Sequence, residues 1–137
     1  MADHIPDILK IVNDDPSKIQ KYKDDSSIRS IFQYSFDKRL KFLIPDEVEY
    51  KKNTGIIGLT DLNFYQVVRK FNIFTRKDVS DKKRLEIFIQ SLEGISEEEA
   101  LIMIAIKDQT LHMMYPNITG KIVSKYGFVE TGFRIRR

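Results

Sequence analysis

The stretch Ala100-Leu-Ile-Met-Ile-Ala-Ile106, closed by Lys107-Asp108, decides how the rest of the chain is read. Seven consecutive residues carry no polar side chain in a protein that is 31% charged. A bilayer span takes about 20 apolar residues, so this run is too short to cross one and is expected to be buried in protein. Just before it stands Ser96-Glu-Glu-Glu99, which has the form of a capping box, with a serine at the cap and a glutamate three residues on. The box predicts a helix. Ile102, Ile104 and Ile106 alternate as a strand would, but no partner strand can be found for them, and helix is preferred. Met103, Ile104 and Ile106 cannot share one narrow helical stripe. The helix is therefore expected to be apolar on all sides and to serve as the central buried rod of an all-α protein.

Helical spacing continues outward from the rod in both directions. Ile5, Ile8, Leu9 and Val12 form one stripe. Asp15-Pro16 reads as a cap followed by a first-turn proline, opening a short helix that buries Ile19 and Tyr22. Ser27 marks the next start, ahead of Ile28, Ile31 and Phe32. Thr60 or Asp61 is expected to cap a helix whose inner face is Phe64, Val67, Val68, Phe71 and Phe74. Ser80 caps another, with Leu85, Phe88, Ile89 and Leu92, and Gly94 as its stop. Asn117 is expected to start the last, with Ile118, Ile122, Val123 and Tyr126 before Gly127. Pro45, Gly55 and Gly58 mark residues 40–59 as a long loop, and Arg134, Arg136 and Arg137 lie in a basic tail at 132–137. The expectation is a single compact helical domain over 1–137, a bundle of about six or seven helices around one central helix.

A length of 137 residues suits one core, and an apolar fraction of 42% is ordinary for a globular chain. There is no cysteine, which excludes disulfides and thiol catalysis. Met1-Ala-Asp-His has neither the basic start nor the apolar core of a signal peptide, so a protein inside the cell and away from membranes is expected.

Catalytic and metal chemistry find little footing. The two histidines are His4 and His112, which leave no argument for a Ser-His-acid triad. Asp108 and His112 stand four apart, a possible pair of ligands if the helix ran that far, but a zinc site needs three or four. The six glycines are scattered and form no phosphate loop. Glu97-Glu-Glu99 is explained by the helix start on which it sits. No metal, cofactor or catalytic residue is expected.

The basic residues say more. Net charge is +3 and the pI is about 9.0. Between Arg69 and Arg84 lie seven cations (Arg69, Lys70, Arg76, Lys77, Lys82, Lys83, Arg84) and two acids (Asp78, Asp81), a local excess of five. Most of them surround one helix start, where free N–H groups and the dipole favour phosphate. Lys107 ends the rod, and Lys121 and Lys125 point away from the Ile118/Ile122 stripe. Arg76, Lys77, Lys82, Lys83, Arg84, Lys107, Lys121 and Lys125 are the candidate DNA contacts. The competing reading is a solvated basic face.

Several segments carry a resemblance: Ile31-Phe-Gln-Tyr-Ser-Phe36, Phe42-Leu-Ile-Pro45, Phe74-Thr-Arg-Lys-Asp78, Leu85-Glu-Ile-Phe-Ile89, Phe88 through Gly94, Ala100 through Asp108, and Ile118-Thr-Gly-Lys-Ile-Val123. Together they resemble a family of small, functionally uncharacterised proteins of large contractile-tailed bacteriophages. More distantly, the order of elements is similar to the N-terminal helical DNA-binding domain of phage-type ATP-dependent DNA ligases. That domain grips duplex DNA by its sugar–phosphate backbone, largely without reading sequence. The resemblance implies a ligase DNA-binding-domain-like fold and a phage accessory protein acting in the cytoplasm of the bacterial host during infection. It also implies Lys107-Asp108 as the basic-Asp end of the buried helix and Lys121 as the first-turn lysine of the closing helix. Two departures matter. The Lys-x-Asp-Gly motif of adenylation is missing, so no ligation is expected. The glycine turn that follows basic-Asp in the ligases is replaced by Gln109-Thr-Leu-His-Met-Met-Tyr-Pro116.

Two functions remain open at this point. One is non-catalytic binding of double-stranded DNA through phosphates. The other is a protein-interaction module that binds or inhibits a host or phage protein, for which Leu111, Met113, Met114 and Tyr115 offer an adaptable apolar knob. The preferred reading of those four residues is that they tuck back into the core.

Overall fold

The computed structural model describes residues 4–52 and 62–129. Gly55, Gly58, Thr60, Asp61 and the tail arginines lie outside them. Among the described residues are seven α-helices: α1 (Ile5–Asp14), α2 (Ser26–Phe36), α3 (Phe64–Val68), α4 (Asp81–Gly94), α5 (Glu97–Asp108), α6 (Leu111–Met114) and α7 (Gly120–Lys125). Three 3₁₀ segments, Pro16–Tyr22, Lys38–Leu40 and Phe71–Thr75, turn the chain between them. No strand occurs among the described residues, and the fold is all-α.

The apolar run forms α5, and α1, α2, α4 and α6 all pack on it. Its capping box is formed: Ser96 Oγ accepts from the Glu99 N–H at 3.2 Å, and Glu99 Oε1 accepts from the Ser96 N–H at 3.0 Å. Ile102, Met103 and Ile106 are wholly buried. The rod is not apolar to its neighbours on every side, however. Leu101 is 48% exposed and Ile104 is only half-buried. One face of the run therefore meets water.

The helix starts show which residue wins when several could cap. Ser80 caps α4 as expected, accepting from the Lys83 N–H at 3.1 Å. For α2 the cap is Asp25, not Ser27; its carboxylate accepts from the N–H groups of both Ser27 and Ile28, more than one serine hydroxyl accepts. For α7 the cap is Thr119, not Asn117. Asn117 is instead tied to the end of α1, donating from its backbone N–H to Asn13 Oδ1 and from its side-chain amide to Asn13 O, both at 2.8 Å. Asn63 caps α3 in a box with Gln66.

The expected single helix from Phe64 to Phe74 divides after Val68. Phe71 and Phe74 stand three apart, which suits the 3₁₀ turn they occupy. They bury against an aromatic cluster whose hub is Phe42, with ring centroids at 5.2 Å from Phe71, 5.0 Å from Phe74 and 6.2 Å from Phe88. Phe42 belongs to the expected loop. Its segment is irregular but seated: Phe42 and Ile44 are buried, Lys41 and Leu43 are exposed, and the Leu43 N–H donates to Phe74 O at 2.7 Å.

At the far end of α5 the chain reverses through Gln109, which holds a left-handed backbone (φ 57°) where glycine is usual. Its side chain explains the choice. Gln109 Nε2 donates to Tyr34 O at 3.1 Å and Asp37 O at 2.8 Å, joining the ends of α5 and α2. Gln109→Ala loses these bonds and keeps the backbone strain, whereas Gln109→Gly loses the bonds and relieves about 1 kcal/mol of strain. Urea unfolding is expected to rank wild type above Gln109→Gly, and Gln109→Ala lowest. A glycine variant at least as stable as wild type would show that the amide bonds contribute no more than the roughly 1 kcal/mol of strain that glycine relieves.

Candidate nucleic-acid interface

The turn from Arg76 to Arg84 joins the Phe71–Thr75 segment to α4. Its two arginines are engaged by neighbouring aspartates. Arg76 and Asp78 form a two-pronged pair, Nε to Oδ1 at 2.9 Å and a terminal N–H to Oδ2 at 2.6 Å. Both are exposed. The hydrogen bonds from Arg76 hold the Asp78 carboxyl below the usual carboxylate range, and those to Asp78 raise the Arg76 guanidinium. The pair thus stays ionised and self-compensating.

Arg84 is corrected from contact to core. Only 4% of it is exposed, and it donates to Val79 O at 3.3 Å and to the Asp81 carboxylate. Asp81 carries the exposed end of that pair. Arg84 Nε is buried and has no hydrogen-bond partner among the described residues.

With Arg76 and Arg84 matched to Asp78 and Asp81, seven cations less two leaves five: Arg69, Lys70, Lys77, Lys82 and Lys83. All five are exposed. Lys77 lies just ahead of the Ser80 cap, and Lys82 and Lys83 lie in the first turn of α4. Beside Lys82 a groove of about 400 Å³ is lined by Leu43, Ile44, Pro45, Asp81, Lys82 and Leu85, so that a carboxylate shares its wall.

Lys107 is the second correction. It does not surface at the end of the rod, because it is 1% exposed and all three of its N–H groups are used. They donate to Pro45 O at 3.0 Å, Asp46 O at 2.9 Å and Asp108 Oδ1 at 2.6 Å. Lys41 Nζ in turn donates to Lys107 O at 3.1 Å. Lys107 is a pin that seats the Phe42–Asp46 segment on α5, out of reach of any phosphate.

Lys121 and Lys125 are exposed on α7, which packs on α2. Lys125 Nζ lies 5.5 Å from the Tyr126 ring centroid. α4 packs instead on α5 and the Phe71–Thr75 turn, so these two lysines belong to a separate element from the basic turn. The Glu97–Glu99 run serves the helix start: Glu99 completes the capping box, Glu98 meets Lys10 at 3.1 Å and Glu97 meets Lys52 at 3.6 Å. The Asp108/His112 spacing is broken by the reversal at Gln109, so the two do not share a helical face. The apolar knob is divided. Leu111 and Tyr115 are buried, whereas Met113 is 73% and Met114 37% exposed.

What fold and surface define is a small all-α protein in which, among the described residues, Lys77, Lys82 and Lys83 stand exposed near the start of α4. A family model described as a family of unknown function (DUF6433) matches residues 8–113. That range is well over half of the chain, and the protein belongs to this family. No curated protein and no solved structure matches it. The matched range holds the basic turn and α5 and stops short of Lys121 and Lys125. Among the described residues no helix is long and apolar enough to cross a membrane.

Proposed function

We propose that this protein binds double-stranded DNA through its phosphate backbone, without catalysis and with little preference for sequence. In the setting implied by the phage and ligase resemblance, it is an accessory factor in the cytoplasm of an infected bacterial host. The observation that carries the reading is the survival of Lys77, Lys82 and Lys83 as exposed cations without an acidic partner among the described residues, after Arg76, Arg84 and Lys107 are assigned to internal partners. Lysines of this kind neutralise phosphates and release counterions, and carry no base readout.

The magnitude separates two versions. Three phosphate contacts from the turn alone give a slope of log affinity against log salt of about −3, and adding Lys121 and Lys125 gives about −4 to −5. A duplex titration over a range of salt, on two unrelated sequences, is expected to give equal affinities and a slope in that range. No binding at low salt, or a strong sequence preference, would refute the reading. The exposed Met113 and Met114, with Leu101 at 48% exposure, favour a second reading as a protein-interaction module for a host or phage partner. Pull-down that depends on Met113 and not on Lys82 would select it.

A further inference from the structure

Where α2, α6 and α7 meet, the surface opens into a cleft of about 550 Å³. That falls in the range of small-molecule sites, roughly 300–1,000 Å³. Its lining includes Phe36, Lys38, Gln109, His112, Pro116 and Gly120. The two ionisable side chains in the wall are both basic types, Lys38 and His112, and no carboxylate lines it. Both are exposed, and neither has an acidic partner among the described residues. The nearest acid in sequence, Asp37, is already committed. Arg39 grips it at 3.1 and 2.8 Å, and these bonds hold its carboxyl below the usual range. Lys121 follows Gly120 directly and is exposed.

The remaining wall is suited to a flat body. Phe36 is half-buried, so part of its ring stays open, and Pro116 adds a second apolar surface. A Cβ placed on Gly120 would make only an ordinary contact with Phe36, at 3.7 Å, so this side of the cleft is open and a longer side chain there would extend into it. Gln109 is rigid, because its NH₂ group serves two backbone carbonyls. That assignment fixes the amide orientation and leaves Oε1 as an acceptor. A ligand matching the cleft has an anionic end for Lys38 and His112, a planar body for Phe36 and Pro116, and an N–H for Gln109.

We propose that this cleft binds a nucleoside monophosphate, either free or as the terminal nucleotide of a DNA strand. The phosphate lies against Lys38 and His112, and the base lies between Phe36 and Pro116 with its amino edge toward Gln109. Inorganic phosphate lacks the body, and a nucleoside lacks the anion. The site does not depend on duplex binding through the basic turn, which involves other residues.

Calorimetric titration of the full chain with deoxyadenosine monophosphate tests it. Saturable one-to-one binding is expected, with deoxyadenosine and inorganic phosphate each at least about tenfold weaker. Lys38→Ala and His112→Ala are each expected to weaken the monophosphate by about tenfold, as loss of a charge-assisted contact does. Both side chains are exposed, so folding is unaffected, and circular dichroism checks this. Gly120→Leu, which fills the cleft, is expected to abolish binding, while Lys82→Ala/Lys83→Ala leaves it unchanged. A terminally phosphorylated oligonucleotide forms the second arm. Binding at least tenfold tighter than the mononucleotide, with the same loss in Lys38→Ala, assigns the ligand as a strand end; equal or weaker binding assigns it as the free nucleotide. Absence of monophosphate and oligonucleotide binding at millimolar concentration overturns the proposal. So does binding that neither Lys38→Ala nor His112→Ala alters.

Discussion

Ile102→Asp is expected to abolish cooperative unfolding and leave the chain without a native state. Ile102 is wholly buried on the helix that α1, α2, α4 and α6 share. An unpaired carboxylate there costs several kcal/mol, against a typical total stability of about 5–15 kcal/mol for a domain. The same change at two neighbours gives a graded series. At Ile104, which is half-buried, the carboxylate can turn toward water, and a folded but weakened protein is expected. At Leu101, which is 48% exposed, the expected change is within about 0.5 kcal/mol. Urea unfolding of the three variants reads the series. Equal and complete loss at all three positions would mean that α5 is buried all round, contrary to the structure.

Lys107→Ala is expected to lower stability by about 3 kcal/mol, through three lost hydrogen bonds and the cavity left by the side chain. Its salt slope for duplex binding is expected to match wild type. A phosphate-binding lysine behaves in the opposite way, flattening the slope by about one while stability holds. The two measurements therefore separate a pin from a ligand residue. A variant of wild-type stability with a flattened slope would reverse the assignment of Lys107.

These two residues also show how far the sequence could be read. The central helix was legible because its evidence is local: a capping box within four residues and an apolar run directly after it. Ser80 and its stripe were legible for the same reason. The exposure of Leu101 was not, since an apolar run does not say which side lacks a neighbour. Lys107 misleads for a related reason. A lysine closing an apolar run looks like the point where the helix surfaces, but its partners, Pro45 O and Asp46 O, lie about sixty residues earlier in the chain. Nothing near Lys107 in sequence announces them. Phe42 is similar: only a short alternation, Phe42 and Ile44 buried around an exposed Leu43, distinguishes its segment from an ordinary loop. The arginines of the basic turn are a different case, because their signal was available. Asp78 stands two residues after Arg76, and Asp81 three before Arg84, both within reach of a local pair. Pairing them off on paper removes two of the candidate contacts and leaves the exposed lysines of the turn.

Those lysines hold the central claim, and one comparison tests it most directly. Lys82 and Lys83 are exposed in the first turn of α4, away from its buried Phe88 and Leu92, so replacing both with alanine leaves the fold intact. Duplex affinity of wild type and of Lys82→Ala/Lys83→Ala is measured across the same salt series. If both lysines touch phosphate, the variant binds more weakly at low salt and its slope is flatter by about two, equally on any sequence. An unchanged slope would contradict the account and leave the basic turn as a solvated face.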